Sequence, residues 1–316
     1  MRRVDIAAHA GLMPNPLIEV SEQLASAVEA ASGFVASVVA HPRMPASGVH
    51  WRQGLIVTTS HTLKHQTSAE VAFADGSKQT AAIAGRDAGT DLAVLRLDAG
   101  NAPVASFVDG AQRPGELSLV VGRSARSGVT AAMGLISAVS GPWRTWQGGS
   151  LDSLIQLDTA VYPSSNGGAV IDVSGKVIGI ATAEFSRLGG MAIPNATVNR
   201  VVDSLLSNGY VPRGYLGVGL QPVAIPRSLR DQLYGNTALL LITVEPGSAA
   251  EQAGLLVGDI LVAIDEVKIG DPRDVQSVLG AESVGKTVTA HVIRGGVLTT
   301  VPLVIGERGK GQERCR

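Results

Sequence analysis

Three short segments of the chain carry the residue types of acid–base and nucleophilic chemistry, in a fixed order. His61 closes the apolar run "GLIVTTSH", Asp91 opens "DLAVLRLD", and the small-residue loop "AVYPSSNGGA" follows at residues 160–169. A histidine at a strand end can take the proton of an attacking hydroxyl, and a buried carboxylate can orient the imidazole and stabilise its charged form. A Gly-Gly pair behind the attacking residue lets the backbone turn closely. Singly, each piece has a plainer meaning: the histidine as a solvated or structural group, the aspartate as a turn residue. The order and the flanks of the set point to chemistry. Yet the loop carries Asn166 where an ionisable hydroxyl is wanted.

Composition says what frame can hold these residues. The chain has 316 residues, enough for two domains or one large one. Hydrophobic residues make up 45% and charged residues 17%, so a sizeable core is available and disorder is not expected. Aromatics are 3%, so that core must be built from Val, Ile, Leu and Ala. The 38 glycines and 15 prolines suit short strands and many turns better than long helices. A net charge of -1 with no basic stripe argues against a nucleic-acid partner. Cys315 is the single cysteine, which excludes an internal disulfide and a cysteine metal site. His9, His41, His50, His65 and His291 lack metal-ligand spacing, so neither metal nor cofactor is expected. No stretch approaches the roughly 20 apolar residues of a membrane span, and the first residues hold no signal-peptide core. The sequence as given reads as cytoplasmic, or as extracytoplasmic if it is a trimmed chain.

Residues 17–32 place Leu17, Val20, Leu24 and Val28 at helical spacing. Thereafter short β-branched runs are split by Gly, Pro, Ser and Asp, the rhythm of an antiparallel barrel or sandwich. "ATVNRVVDSLLSNG" closes that section as a helix with Gly209 as its cap. Beyond the joint "YVPRG" comes an α+β section with a strand at 215–222 and helices near 226–233 and 272–280. The expected division is an N-terminal arm over 1–32, a β-domain over 33–208, a linker at 209–214, a smaller domain over 215–308 and a tail at 309–316.

The first section resembles the HtrA family of trypsin-fold serine proteases. The matching stretches are "GLIVTTSH", "TDLAVLRL", "IQLDTAVYPSSNGGAV", "GKVIGIATA" and "MAIPNATVNRVV". The resemblance implies a mainly β fold, a trypsin-like double antiparallel β-barrel followed by an α+β PDZ domain. By position, the family's catalytic histidine falls on His61, its aspartate on Asp91 and its serine on Asn166. The glycine two before that serine falls on Ser164, so the oxyanion-hole donors would be the N–H groups of Ser164 and Asn166. Ser164 is expected to avoid the left-handed backbone that glycine permits, and so to turn its peptide the other way. Asn166, by contrast, is expected to form no acyl-enzyme, though its amide could bond to His61. Ser165 is the alternative nucleophile, at the cost of shifting the loop by one residue. Ala160, six before Asn166, is either the floor of a pocket for small to medium apolar side chains or plain core.

"RGYLGVGLQP" and "VEPGSAAEQAGLLVGDILVAIDEVKI" resemble the PDZ domains of the same family. There the loop at Tyr215, Leu216, Gly217 and Val218 would present N–H groups to a peptide's C-terminal carboxylate. The helix with Val275, Val278 and Leu279 would form the other wall of the groove, and Arg213 could help hold the carboxylate. The partners implied are polypeptides or peptide C-termini and further copies of the chain, a homotrimer by resemblance. Trp143 and Trp146, in "GPWRTWQGGS", are read as a loop that either packs over the barrel or forms a partner surface. Three functions compete: a protease homologue that binds without cutting, an active endopeptidase, and a scaffold in which the PDZ domain alone matters.

Overall fold

A computed structural model describes residues 15–41, 44–98, 102–186, 189–225 and 236–307. Its contacts divide into two units: the chain up to Thr145 with Leu151–Val202, and Trp146–Ser150 with the chain from Asp203 onward.

The first unit opens with α1 (Pro16–Ser32). Asn15 caps it by accepting the Leu17 N–H at 3.1 Å, and Pro16 stands at the first helical position, where its missing donor costs nothing. The buried residues of α1 are Ala27 and Ala31, whereas Leu17 and Ile18 are 77% and 57% exposed. Of the residues at helical spacing, Leu24 and Val28 are half-buried beside these alanines, and Leu17 and Val20 stay exposed.

Six strands then close a barrel: β1 (Val35–His41), β2 (Met44–Arg52), β3 (Leu55–Thr59), β4 (Ser68–Ala72), β5 (Lys78–Asp87) and β6 (Leu92–Arg96), in the order β1-β2-β3-β6-β5-β4. The one-turn helix α2 (Ser60–Leu63) follows β3 directly. A second barrel joins β7 (Leu117–Ser124), β8 (Gly128–Ser140), β11 (Leu154–Leu157), β12 (Ala169–Ile171), β13 (Val177–Thr182) and β14 (Met191–Pro194), in the order β11-β14-β13-β12-β7-β8. The short β9 (Trp143–Arg144) and β10 (Ser150–Leu151) lie between β8 and β11 in sequence. Closure leaves no sheet edge in either barrel. The first core packs Val38, Ile56, Val71 and Leu95, and the second packs Val120, Ile136, Val170 and Ala192. Each large side chain so buried is worth about 1.5–3 kcal/mol. α3 (Asn195–Asn208) follows β14, and Gly209 ends it at φ +77°, its N–H on the Leu205 carbonyl at 3.0 Å.

The second unit holds β15 (Gly214–Tyr215), β16 (Val218–Ala224), β17 (Thr237–Val244), α4 (Ala249–Gln252), β18 (Ile260–Ile264), β19 (Val267–Lys268), α5 (Pro272–Val278), β20 (Thr287–Arg294), β21 (Val297–Val304) and β22 (Gly306–Glu307). The main sheet runs β16-β17-β18-β20-β21, which leaves β16 at an edge, and α5 packs beside it. The strand expected over 215–222 is thus two, broken at Leu216 and Gly217. The expected helix over 272–280 ends at Val278, because Leu279 (φ −93°, ψ 47°) has left the helical region. The helix expected near 226–233, the tail at 309–316, Cys315 and His9 lie outside the described residues.

Candidate functional site

The site in the first unit is built where β3 and β13 end and β6 begins. α2 begins as soon as β3 ends, which puts His61 at the barrel rim. Asp91 precedes β6 at φ +56°, a left-handed conformation that short polar side chains tolerate better than most. That turn lets one carboxylate accept two bonds from His61: its backbone N–H at 2.9 Å and its ring Nδ1 at 2.9 Å. A third donor, Thr182 Oγ1 at the end of β13, reaches Asp91 Oδ2 at 2.7 Å. The ionised carboxylate only accepts, so Nδ1 carries the proton and Nε2 is left as the free base of the neutral ring.

Asp91 is 2% exposed and the His61 side chain 28%. Burial draws the His61 pKa down, but the hydrogen bond and charge of Asp91, aided by the charge of Glu184, outweigh it and raise the pKa above its ordinary value. A raised folded value means that protonated His61 stabilises the fold below its unfolded pKa, and that this contribution fades as pH rises through the folded one. In Asp91→Asn the raising influences of Asp91 are gone while burial remains. The His61 titration midpoint, followed by the ring proton shifts in NMR, is expected to fall. An unchanged midpoint would mean that the pair is not coupled.

Asn166 lies at the same rim. Its side-chain Oδ1 accepts the N–H of Ala183 at 3.0 Å, and Ala183 is next in the chain to Thr182. Asn166 is buried, only 8% exposed, and among the described residues its carboxamide makes no hydrogen bond to His61. The expected option of an Asn166–His61 bond is therefore replaced by a bond to the strand end.

The loop before Asn166 is a 3₁₀ turn over Pro163–Ser165, with the Ser165 N–H on the Tyr162 carbonyl at 2.8 Å. Ser164 does not take a positive φ. Two groups of Ser47, a fully buried residue of β2, hold this loop. Its N–H donates to the Asn166 carbonyl at 2.8 Å, and its hydroxyl donates to the Ser164 carbonyl at 2.7 Å. The same hydroxyl accepts the Arg123 N–H at 2.7 Å, while the Arg123 guanidinium bonds the carbonyls of Val35 and Ser32 at 2.8 Å each. The C-terminal turn of α1 is thereby tied to the loop through Arg123 and Ser47. Sequence reasoning missed Ser47 and Thr182. Thr182 had a signal, a polar residue closing an all-apolar strand; Ser47 had none, because its partners lie 76 and 117 residues away.

Ser165 points elsewhere. It is buried, its hydroxyl is 3.3 Å from Thr130 Oγ1 on β8, and it lies so close to Gly122 that a Cβ there would come within 2.8 Å of its Cα. Gly167, at φ +80°, cannot carry a side chain: a Cβ would stand 2.3 Å from the Ser47 carbonyl oxygen and 2.5 Å from Thr58 Oγ1. Ala160 is exposed, which corrects the reading of it as core. Trp143 packs edge-on against Phe185 at 6.0 Å, while Trp146 is 62% exposed. The two tryptophans thus divide between the packing and surface roles. Among the described residues no group of His, Cys, Asp or Glu is arranged to hold a metal ion.

In the second unit, Gly217 (φ +76°) lies against Ser248, whose Cβ would be 2.2 Å from any Cβ placed there. Its carbonyl accepts the Glu245 N–H at 2.8 Å, and that of Leu216 accepts the Ala250 N–H at 2.9 Å. With both carbonyls turned inward, Tyr215, Leu216, Gly217 and Val218 form the tight entry to β16. Val275 is buried in the core of this unit, with Val278 and Leu279 packed against it. Arg213 reaches the Gln147 carbonyl at 3.4 Å.

The trypsin-like peptidase domain family matches residues 46–180 and the PDZ domain family matches residues 214–305. The solved HtrA-type protease AlgW with a tripeptide is 30% identical, superposes with a TM-score of 0.71, and is covered over 97% of its length by 90% of this chain. This chain belongs to the HtrA family. The AlgW complex with a decapeptide (29% identity, TM-score 0.72) and the serine endoprotease from Yersinia pestis (27% identity, TM-score 0.72) share the HtrA fold over 90% of this chain and 99% and 98% of theirs. A probable periplasmic DegP-like serine endoprotease of Rhizobium meliloti is 36% identical over 275 residues, 84% of this chain and 54% of that protein. A protein of the same description from Chlamydia muridarum is 33% identical over 258 residues, 80% of this chain and 52% of that protein. The chain thus spans about half the length of these curated relatives.

Proposed function

We infer that this HtrA protein is a pseudoprotease: it holds polypeptides in a trypsin-type cleft and by their C-termini in its PDZ groove, and leaves the chain uncut. The observation that carries this reading is the Asn166 carboxamide, engaged with the Ala183 N–H beside the intact His61–Asp91 pair. An amide nitrogen has its lone pair in the carbonyl and cannot become a nucleophile at the bidding of an imidazole. Ser164, held in a 3₁₀ turn, argues further against a formed oxyanion hole. Ala160, which is exposed, would floor a specificity pocket for small to medium apolar side chains.

The competing reading, an active endopeptidase using Ser165, has against it the direction of that side chain, which lies between Gly122 and Thr130 rather than at His61. A PDZ scaffold indifferent to the barrels would bind peptides equally well as residues 210–308 alone. The names of the relatives favour a periplasmic place over the cytoplasmic reading, and a role in protein quality control is what the family resemblance implies. The exposed Leu17, Ile18 and Val20 of α1 support self-association, for which a trimer is the family's form. Incubation with casein or a reduced, unfolded protein tests the reading. Binding without new fragments is expected, and cleavage that disappears in His61→Ala would overturn it.

A further inference from the structure

β16 is an edge strand, and the directions of its backbone groups can be read from its neighbours. Leu241 donates its N–H to the Asp259 carbonyl at 2.8 Å and accepts the Gly258 N–H at 2.9 Å, so both its groups face away from β16. Leu220 stands opposite Leu241, and Pro222 stands opposite Leu239, two residues before Leu241 on the same side of β17. Across a non-hydrogen-bonded antiparallel pair both residues turn their groups outward. Two contacts at the ends fix the same alternation: the Gly217 carbonyl and the Ile225 N–H both bond toward the β17 side, to Glu245 and Asn236. Val218, Leu220, Pro222 and Ala224 therefore present their backbone groups to the open edge.

Proline has no N–H, so this edge loses a donor at Pro222. Pro222 is also exposed, with no core packing to explain its place. A strand added to β16 would meet a complete donor–acceptor set at Leu220 and then a ring in place of the next donor.

We propose that Pro222 sets the length of peptide that the groove reads, confining main-chain recognition to the last three residues of a free C-terminus. This rests on the PDZ reading given above. With a terminal carboxylate at the N–H groups of Leu216 to Val218, the Val218 carbonyl accepts the N–H of the last residue. The third residue from the end pairs with both groups of Leu220. The fifth from the end faces Pro222, where its carbonyl finds no donor and the ring holds its backbone off the sheet. The ligand class is accordingly the C-terminal tripeptide of any chain that exposes one, with little contribution from residues upstream of it.

The test uses the full chain and a library of decapeptides with free C-termini. The tightest binder is compared by calorimetry with its own C-terminal tripeptide, with the same decapeptide as a C-terminal amide, and against Pro222→Val. Tripeptide and decapeptide are expected to bind within about twofold of each other. Pro222→Val, which restores a donor, should tighten the decapeptide about fivefold, the effect of one net hydrogen bond, and leave the tripeptide unchanged. A decapeptide at least tenfold tighter than its tripeptide in the unaltered chain would overturn the proposal, as would a Pro222→Val gain shared equally by both. The unaltered chain decides the matter even if Pro222→Val fails to fold. Absence of binding by every free C-terminus, or equal binding of the amide, would instead remove the PDZ reading and this inference with it.

Discussion

The double variant Asn166→Ser, Ser164→Gly is expected to hydrolyse a fluorogenic peptide about 100- to 1000-fold faster than Asn166→Ser alone. The serine supplies a hydroxyl that His61 can deprotonate, and the base is ready, with its Nδ1 proton held on Asp91 at 2.9 Å. A hydroxyl alone is not enough. The tetrahedral oxyanion needs two backbone donors, and each is worth about 2.7–4 kcal/mol in a proteolytic site. Ser164 keeps out of the left-handed region, in a turn whose carbonyl is fixed by the Ser47 hydroxyl at 2.7 Å. Glycine at 164 would remove the roughly 1–2 kcal/mol cost of that backbone state and let the donor turn inward. Initial rates for the two variants and for the double variant lacking His61 check this. Equal rates with and without glycine would show that the turn already presents both donors.

The second large effect is on stability. Gly167→Ala is expected to destabilise the first unit by about 2–5 kcal/mol, the sum of roughly 1–2 for a left-handed alanine and 1–3 for overpacking. The obstacles are a backbone oxygen 2.3 Å away and the Thr58 hydroxyl at 2.5 Å, and the oxygen belongs to Ser47, the residue that holds the loop. Neither is the far end of a flexible side chain, so the strain cannot be relieved by a rotamer change. Thermal and urea unfolding against the unaltered chain measure the effect, and a loss under 1 kcal/mol would mean that the barrels yield at this point more than close packing allows.

Much of this fold is legible in the sequence, for reasons that are local. The barrel strands announce themselves as β-branched runs between turn residues, and α3 by its apolar period and the glycine behind it. His61 and Asp91 are legible as a pair because each sits at the mouth of an apolar strand, where a polar side chain has few other uses. What fails is whatever depends on a partner distant in sequence. The fully buried residues of α1 are Ala27 and Ala31, while of the larger residues that periodicity selects Leu24 and Val28 are half-buried and Leu17 and Val20 exposed, because periodicity names a face and not the neighbour it meets. Ala160 can be placed neither in core nor at rim from its type. Ser47 looks like one small residue among many, yet it grips two carbonyls of the loop. The meaning of Pro222 depends on which way its nitrogen faces, which is fixed by the register of β16 on β17 and by no feature of its own segment.

The measurement closest to the central claim is the intact mass of the unaltered chain after exposure to a fluorophosphonate and, separately, to an ester substrate. With a carboxamide at position 166 and Ser165 turned into the barrel, the mass should stay that of the free polypeptide in both cases. A covalent adduct on Ser165, or on any loop residue, that vanishes in His61→Ala would contradict the account.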